Sequence, residues 1–351
     1  KTAKAVFMVA TIVENEVEKI WLADDNGGTV PTDLLYYSPS DKIFVYGKRF
    51  VLVIDATSNQ ILEKISLSYN SNGEDLNETT QYYPTIEQTE YLNYSNLTYN
   101  EDDDLIYCLS EDLGIYSINP TSYNVNYLYK LEDLCGNFTY KNSGIKYDKR
   151  LNRLYTWYSK IPYYGHLKVT DVTTNYSTVG LLTYSSDEIR GLELNEIANE
   201  FYISLNNRFL SIGFDPASDF HNNNITSTQI GSTYASSNTA GNLLYIKDNN
   251  HHKLFCFPTR EIGSNQSFYM KNLTTGIVSA GTCPSGVTAA CYNGSDKVYF
   301  SYKSTSGNAD FRTINVNTLS TVGTDIDSRN SGISGPDYTL DMDMLNGQLI
   351  L

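Results

Sequence analysis

Apolar and polar positions alternate along this 351-residue chain in short runs that recur. Seven times an Asp or Asn is followed by two apolar-leaning positions and then by an aromatic residue or leucine inside a β-rich run. The copies are Asp41-Lys42-Ile43-Phe44, Asp104-Leu105-Ile106-Tyr107, Asn152-Arg153-Leu154-Tyr155, Asn199-Glu200-Phe201-Tyr202, Asn242-Leu243-Leu244-Tyr245, Asp296-Lys297-Val298-Tyr299 and Asn346-Gly347-Gln348-Leu349. They start 63, 48, 47, 43, 54 and 50 residues apart. A second run, 14 to 19 residues after most anchors, ends at another Asp or Asn: Asp55, Asn119, Asp171, Asp215 and Asn315. The pattern predicts strand, turn, strand, turn, with no sustained run of helical period.

A period near 50 residues is the length of one four-stranded propeller blade and too long for a leucine-rich or tetratricopeptide unit. One small antiparallel sheet cannot bury both its faces, whereas several arranged radially cover one another and leave only short edges. Asp and Asn suit the turns because a short side chain can bond nearby backbone, and the aromatic residue is placed to pack between neighbouring sheets. The predicted blades span residues 30–67, 97–131, 143–182, 190–230, 235–275 and 288–322. A composite blade joins 336–351 to 4–25.

This repeat resembles the seven-bladed β-propeller superfamily, in particular the groups with a "Tyr-Val-x-Asn" style of repeat, over nearly the whole chain. The resemblance implies an all-β fold in a single domain over 1–351, with seven four-stranded blades, the last closed by both termini. It brings no catalytic signature. Residues 68–100 depart furthest from the period and are expected to form an extended loop on one face, where binding usually resides.

Charge narrows the partners. With 25 Lys and Arg against 40 Asp and Glu, the formal net charge is −15, which disfavours nucleic acid and anionic membranes. No run approaches the 18 apolar residues of a transmembrane span. The segment Lys1 to Ala10 reads as a strand rather than a signal peptide, and the chain as mature or excised from something longer.

Nine Asn-x-Ser/Thr sequons occur, at Asn77, Asn93, Asn96, Asn137, Asn175, Asn224, Asn265, Asn272 and Asn293. Roughly seven would arise by chance at this composition, so position carries the expectation of glycosylation more than number does: most lie in predicted turns or loops. Cys283 and Cys291 flank a short loop containing Pro284 and Gly286 and are candidates for a disulfide clip, as are Cys108 and Cys135 for a second bridge. Cys256 reads as a buried strand thiol. None of the five cysteines has zinc-ligand spacing.

Chemistry is sparse. The four histidines are His166, His221, His251 and His252, and the adjacent pair would point to opposite sides of an extended strand. No Gly-x-Ser-x-Gly elbow and no phosphate-binding glycine loop is present. The run Glu101 to Asp104 could hold calcium loosely, but its spacing is not that of a calcium loop and a solvated turn is favoured. Asp341 with Asp343, and Asp325 with Asp327, could face a central channel. Thirty tyrosines against two tryptophans suit amphipathic contact surfaces. Tyr155 to Tyr158 and Ile161 to Gly165 could stack on sugars or on a subunit, or simply fill strands.

The reading that follows is a non-catalytic glycoprotein, extracellular or at the cell surface, whose propeller is a structural, adhesive or self-assembling module. Its expected partners are other protein subunits, including copies of itself in a homopolymer, and carbohydrate. No catalytic residue, metal ligand or cofactor is assigned. The alternatives are a propeller enzyme of lactonase, lyase or glycosidase type with a carboxylate and metal site at the channel, and a lectin or receptor ectodomain.

Overall fold

The computed structural model describes residues 6–13, 16–23, 33–47, 50–58, 60–67, 94–110, 113–131, 140–160, 164–221, 225–234, 240–259, 266–284, 286–303, 309–327, 343–345 and 348–350. The fold is an all-β propeller. Near the N-terminus, β1 (Val6–Val13) and β2 (Glu16–Ala23) form a hairpin. Blade 1 follows as β3 (Asp33–Tyr37), β4 (Lys42–Gly47), β5 (Phe50–Asp55) and β6 (Ile61–Ser66). After β7 (Tyr94–Ser95) comes blade 2, with β8 (Leu97–Asn100), β9 (Leu105–Leu109), β10 (Gly114–Ile118) and β11 (Val125–Lys130). Blade 3 is β12 (Tyr140–Asp148), β13 (Arg153–Lys160), β14 (Tyr164–Asp171) and β15 (Ser177–Tyr184).

Blade 4 contains β16 (Gly191–Leu194), β17 (Glu200–Ser204), β18 (Phe209–Gly213) and β20 (Thr226–Ile230). The short β19 (Phe220–His221) leaves it to join blade 3. Blade 5 is β21 (Ala240–Lys247), β22 (His252–Pro258), β23 (Gln266–Asn272) and β24 (Val278–Cys283). Blade 6 is β25 (Val287–Tyr292), β26 (Lys297–Lys303), β27 (Ala309–Asn315) and the two-residue β28 (Ile326–Asp327). At the C-terminal end lie β29 (Asp343–Leu345) and β30 (Gln348–Ile350).

Among the described residues six blades have their four main strands antiparallel and drawn from one contiguous stretch, fewer than the seven expected; β7 and β19 add parallel edges to blade 3. The last repeat copy, at Asn346, is followed by a single strand and cannot complete a sheet locally. Instead β29 and β30 join the N-terminal hairpin in the order β2-β1-β30-β29, through the pairs Thr11↔Ile350 and Ile12↔Leu349.

The burial of each strand follows its place in the blade. The second strands, β4, β9, β17 and β22, are buried along almost their whole length, because both their faces meet a neighbouring blade; this is why they read as continuous apolar runs. The outermost strands β6 and β20 are exposed except for a single residue each, Ile65 and Ile230.

Alternate residues of one second strand serve two different cores. Leu154 and Tyr158 of β13 pack towards blade 2 with Tyr107 and Ile115, whereas Tyr155 and Trp157 pack towards blade 4 with Phe201 and Ile203. Tyr202 turns to Leu254 of blade 5, and Phe255 and Phe257 to Val298 and Phe300 of blade 6. The segment Tyr155 to Tyr158 is therefore interior, with Trp157 only 1% exposed, and is no platform for sugar or a subunit. Its ring lies across Gly144 on β12, where a Cβ would stand 2.1 Å from Trp157 Cζ2.

Two of the expected features change place. Asn242 sits inside the first strand of blade 5, not at its turn. The residues that occupy the repeat position are His252-Lys253-Leu254-Phe255, with His252 as the anchor, since its carbonyl takes the bond from Leu273 N–H that ties the turns. The proposed Cys283–Cys291 bridge is also not formed. Cys283 ends β24 and Cys291 lies in β25 of the next blade, both buried, and the Cys283 thiol is free, 3.5 Å from the Gln266 carbonyl. Cys108 is buried in β9 and Cys256 is a free thiol buried in β22. Cys135 lies outside the described residues.

Candidate functional site

The recurrent Asp and Asn residues converge at one end of every blade, where the turn after the first strand meets the turn after the third. Asp41, Asp104 and Asn152 all adopt left-handed backbone conformations, with φ of 52°, 51° and 52°. Short side chains that bond locally tolerate that region best. In each case a tyrosine five residues earlier donates its hydroxyl to the anchor: Tyr36 to Asp41 at 2.8 Å, Tyr99 to Asp104 at 2.9 Å and Tyr147 to Asn152 at 2.9 Å.

At the third-strand ends the side-chain oxygen caps the turn by accepting backbone amides two and three residues on. Asp55 serves Thr57 and Ser58, Asn119 serves Thr121 and Ser122, and Asp171 serves Thr173 and Thr174. Asn272 and Asn315 do the same in blades 5 and 6. The two turns are tied by one backbone bond: Ala56 N–H to the Asp41 carbonyl, Val172 to Asn152, Phe214 to Asn199, Leu273 to His252 and Val316 to Asp296, all at 2.8 to 3.1 Å.

A third layer crosses between blades. The basic residue after the anchor reaches the residue following the capping Asx of the next blade. Lys42 Nζ donates to the Pro120 carbonyl at 3.1 Å, Arg153 Nη2 to Pro216 at 2.9 Å and Lys253 Nζ to Val316 at 2.8 Å. These clasps join blades 1 to 2, 3 to 4 and 5 to 6. Across the 4-to-5 boundary the polarity reverses, with Glu200 facing Lys271 at 3.6 Å. Asp104 also receives the Tyr37 hydroxyl from blade 1 at 2.7 Å. The tyrosine spacing recurs only in blades 1 to 3 and the clasp only in blades 1, 3 and 5, so neither stands out in the seven-copy pattern of the sequence.

The candidate reactive groups are absorbed in this framework. His251 and His252 do point to opposite sides. His251 Nδ1 lies 3.1 Å from Asp248 and 3.0 Å from the Tyr292 hydroxyl of blade 6, while His252 Nε2 meets the Tyr245 hydroxyl at 3.1 Å. The Tyr292 hydroxyl, together with the bonds from His251 and Asn250, holds the Asp248 carboxyl well below the usual range despite some burial. Burial above all, and then Asp248, raise Tyr292. His166 stacks on Tyr158 with centroids 5.0 Å apart.

Asp325 is gripped by Arg312 Nε at 2.8 Å and Nη2 at 2.6 Å, and by the Tyr302 hydroxyl at 2.6 Å. In the run Glu101 to Asp104, Glu101 and Asp102 face Lys149 of blade 3 and Asp103 accepts from Asn100. Among the described residues no three His, Cys, Asp or Glu side chains converge as a metal site would require. Burial pushes the Cys283 thiol up to about 12, so it is not a thiolate at neutral pH. Asp341 and the side chains of Asp327 and Asp343 lie outside what is described.

Of the sequons, Asn175 is exposed at the β14–β15 turn with φ of 55°. Asn272 and Asn293 are half-buried, with Oδ1 holding turn amides. Asn96 differs. It is 2% exposed and its Nδ2, the atom that would bear a glycan, donates to the Leu109 carbonyl at 2.9 Å inside blade 2. A glycan there would have to open the blade. Asn77, Asn93, Asn137, Asn224 and Asn265 lie outside the described residues.

No protein-family model matches the chain, and no curated protein matches it. Solved structures do resemble it in shape. The WD40 repeats of RRP9 superpose with a TM-score of 0.59 at 12% identity, covering 97% of this chain and 88% of that one. The C-terminal WD40 domain of Sif2 gives 0.54 at 12% identity, covering 90% and 76%. At such identity the likeness establishes the propeller fold and nothing of the activity. No helix among the described residues is long and apolar enough to cross a membrane.

Proposed function

We propose that this chain is a non-catalytic propeller that serves as a rigid protein-binding scaffold, extracellular or at the cell surface, and carries N-linked glycans. The observation that supports it best is the commitment of the convergent polar groups to one another. Asp41, Asp104, Asp248, Glu200 and Asp325 each hold a tyrosine, and several also a basic residue, of the framework. A catalytic carboxylate instead has its pKa tuned to its task and stands in a cleft within hydrogen-bonding reach of the substrate. The exposed apex at Asn175 is consistent with glycan attachment, and the solved propellers it resembles in shape are built from repeats of the WD40 type.

In this reading the sheet β2-β1-β30-β29 acts as a seventh blade that closes the ring through both ends of the chain. In support, β29 lies against β25 on one side and β3 on the other, the same contact that the first strands of successive blades make. Closure of this kind shields the otherwise open flanks of blades 1 and 6.

The test is the intact mass of the native protein before and after enzymatic removal of N-glycans, with particle size recorded on the same sample. A mass loss with the protein bound in larger assemblies is expected. An unmodified monomer of the sequence mass overturns the reading and returns attention to metal and hydrolase assays.

A further inference from the structure

Asparagine followed by glycine occurs four times in the chain, at Asn26, Asn72, Asn293 and Asn346, and of these only Asn293 lies among the described residues. It follows the first strand of blade 6 and caps the turn into β26. Its Oδ1 accepts three backbone amides in succession, from Ser295 at 3.0 Å, Asp296 at 3.1 Å and Lys297 at 2.9 Å. Such donors can meet only an oxygen, which fixes the orientation of the carboxamide. Nδ2 makes no hydrogen bond to the described residues.

The residue that follows matters as much. Gly294 is exposed, has φ of 77° and would have nothing within 4 Å of a Cβ, so no side chain shields its nitrogen. Its N–H is not engaged by the described residues either. The same turn in blades 2 and 4 begins with Asn100 and Asn195, and neither shares these features. Each is followed by glutamate. Their Nδ2 atoms are held as well, donating to Asp103 at 3.0 Å and to the Tyr202 hydroxyl at 2.9 Å.

We propose that Asn293 is a self-modification site, at which the Gly294 nitrogen attacks the side-chain carbonyl carbon of Asn293 and releases ammonia. The bond formed joins Gly294 N to Asn293 Cγ, the bond broken is Cγ–Nδ2, and the proton lost by the Gly294 nitrogen leaves with the ammonia. Amides at 2.9 to 3.1 Å from Oδ1 stand where negative charge develops on that oxygen, the arrangement that stabilises the tetrahedral intermediates of acyl transfer. Water then opens the cyclic imide at either carbonyl. Opening at Cγ gives aspartate, whose carboxylate caps the turn as Asp55 and Asp171 cap theirs. Opening at the main-chain carbonyl routes the backbone through Cγ and adds a methylene to the turn that holds Asp296, whose carbonyl takes the Val316 N–H. This isoaspartyl product loosens blade 6. Asn293 also begins a sequon, and a glycan on Nδ2 removes the leaving group, so the two fates exclude each other.

The experiment is peptide mapping by mass spectrometry of the full chain made in a host that adds no N-glycans. The folded protein is held at mildly alkaline pH, where an amide loses its proton more readily, beside the same chain unfolded in urea. Aspartate and isoaspartate are scored at Asn293, Asn100 and Asn195. Conversion of Asn293 in the fold is expected to be roughly tenfold or more faster than that of Asn100 or Asn195 and to keep pace with the unfolded chain. An Asn293 that stays an amide in the fold while it converts in urea overturns the proposal, as does equal conversion of all three in the fold. Because the chain tested carries no glycan, either result leaves the glycoprotein reading standing, and the two fail separately.

Discussion

The Arg153 guanidinium donates from Nη2 to the Pro216 carbonyl at 2.9 Å, tying the second strand of blade 3 to the capped turn of blade 4. Lys42 and Lys253 occupy the same repeat position and make the same bond to the following blade. Lys253 is the most committed of the two lysines, 6% exposed and bonded also to Asn317 Oδ1 at 2.7 Å. Lys253→Met is expected to cost about 2–3 kcal/mol, because a buried carbonyl loses a charged donor. Lys42→Met, at a more open site, should cost about 1 kcal/mol or less. Urea unfolding of both variants checks the ranking, and equal costs would contradict it.

Tyr37 and Tyr99 donate to the same oxygen of Asp104, one from blade 1 and one from blade 2. Each Tyr→Phe change should lose about 0.5–1.5 kcal/mol. Because the acceptor is shared, the double variant should depart from the sum by about 0.5 kcal/mol or more. A double-mutant cycle by chemical denaturation measures it; strict additivity would mean that the two hydroxyls do not sense one carboxylate.

Gly144 faces the Trp157 ring with no room for a side chain. Gly144→Val should therefore force the indole from its place between blades 3 and 4, at a cost of about 1–3 kcal/mol or more. Tryptophan emission and the urea midpoint should shift together, and an unchanged midpoint would show that the ring has another place to go.

Asn96 and Asn175 test glycosylation against packing. In a secretory host, Asn175→Gln should lower the mass by one glycan and leave the melting temperature within error. Asn96→Gln should leave the mass unchanged yet destabilise by about 1–2 kcal/mol, since a buried Leu109 carbonyl loses its donor. A glycan recovered on Asn96 by peptide mapping would contradict the buried geometry.

Acid should act through the gripped carboxylates. Burial alone would raise Asp325, but the bonds from Arg312 and Tyr302 outweigh it and hold its pKa below the usual value; Asp248 is lowered as well, chiefly by the Tyr292 hydroxyl. Their folded pKa values lie below the unfolded ones, so their stabilisation is present above the ordinary carboxylate range and is lost as pH falls through it. Melting temperature should be level near neutrality and drop below about pH 4. Asp325→Asn should start lower and show a shallower acid slope; an identical slope would exclude Asp325 as a contributor.

The local grammar of the chain was legible without coordinates. Asx residues that end strands must bond their own turns, and runs buried on both faces must be apolar, so strand, turn and repeat follow from short-range chemistry. His252 could not be recognised as an anchor because its role depends on the carbonyl it offers to Leu273, 21 residues later. The decoy Asn242 fits the pattern while sitting mid-strand.

What the sequence alone determined is therefore the all-β repeat and the position of most of its turns, because these depend on residues within a few places of one another. Only the tertiary structure decided which face of a strand meets a neighbour. It buried Tyr155 to Tyr158, set Cys283 and Cys291 on different blades, sank Asn96 beneath Leu109 and carried β19 across to β15. Exposure and pairing are set by what packs radially alongside each sheet, and a residue's own flanking sequence does not contain that.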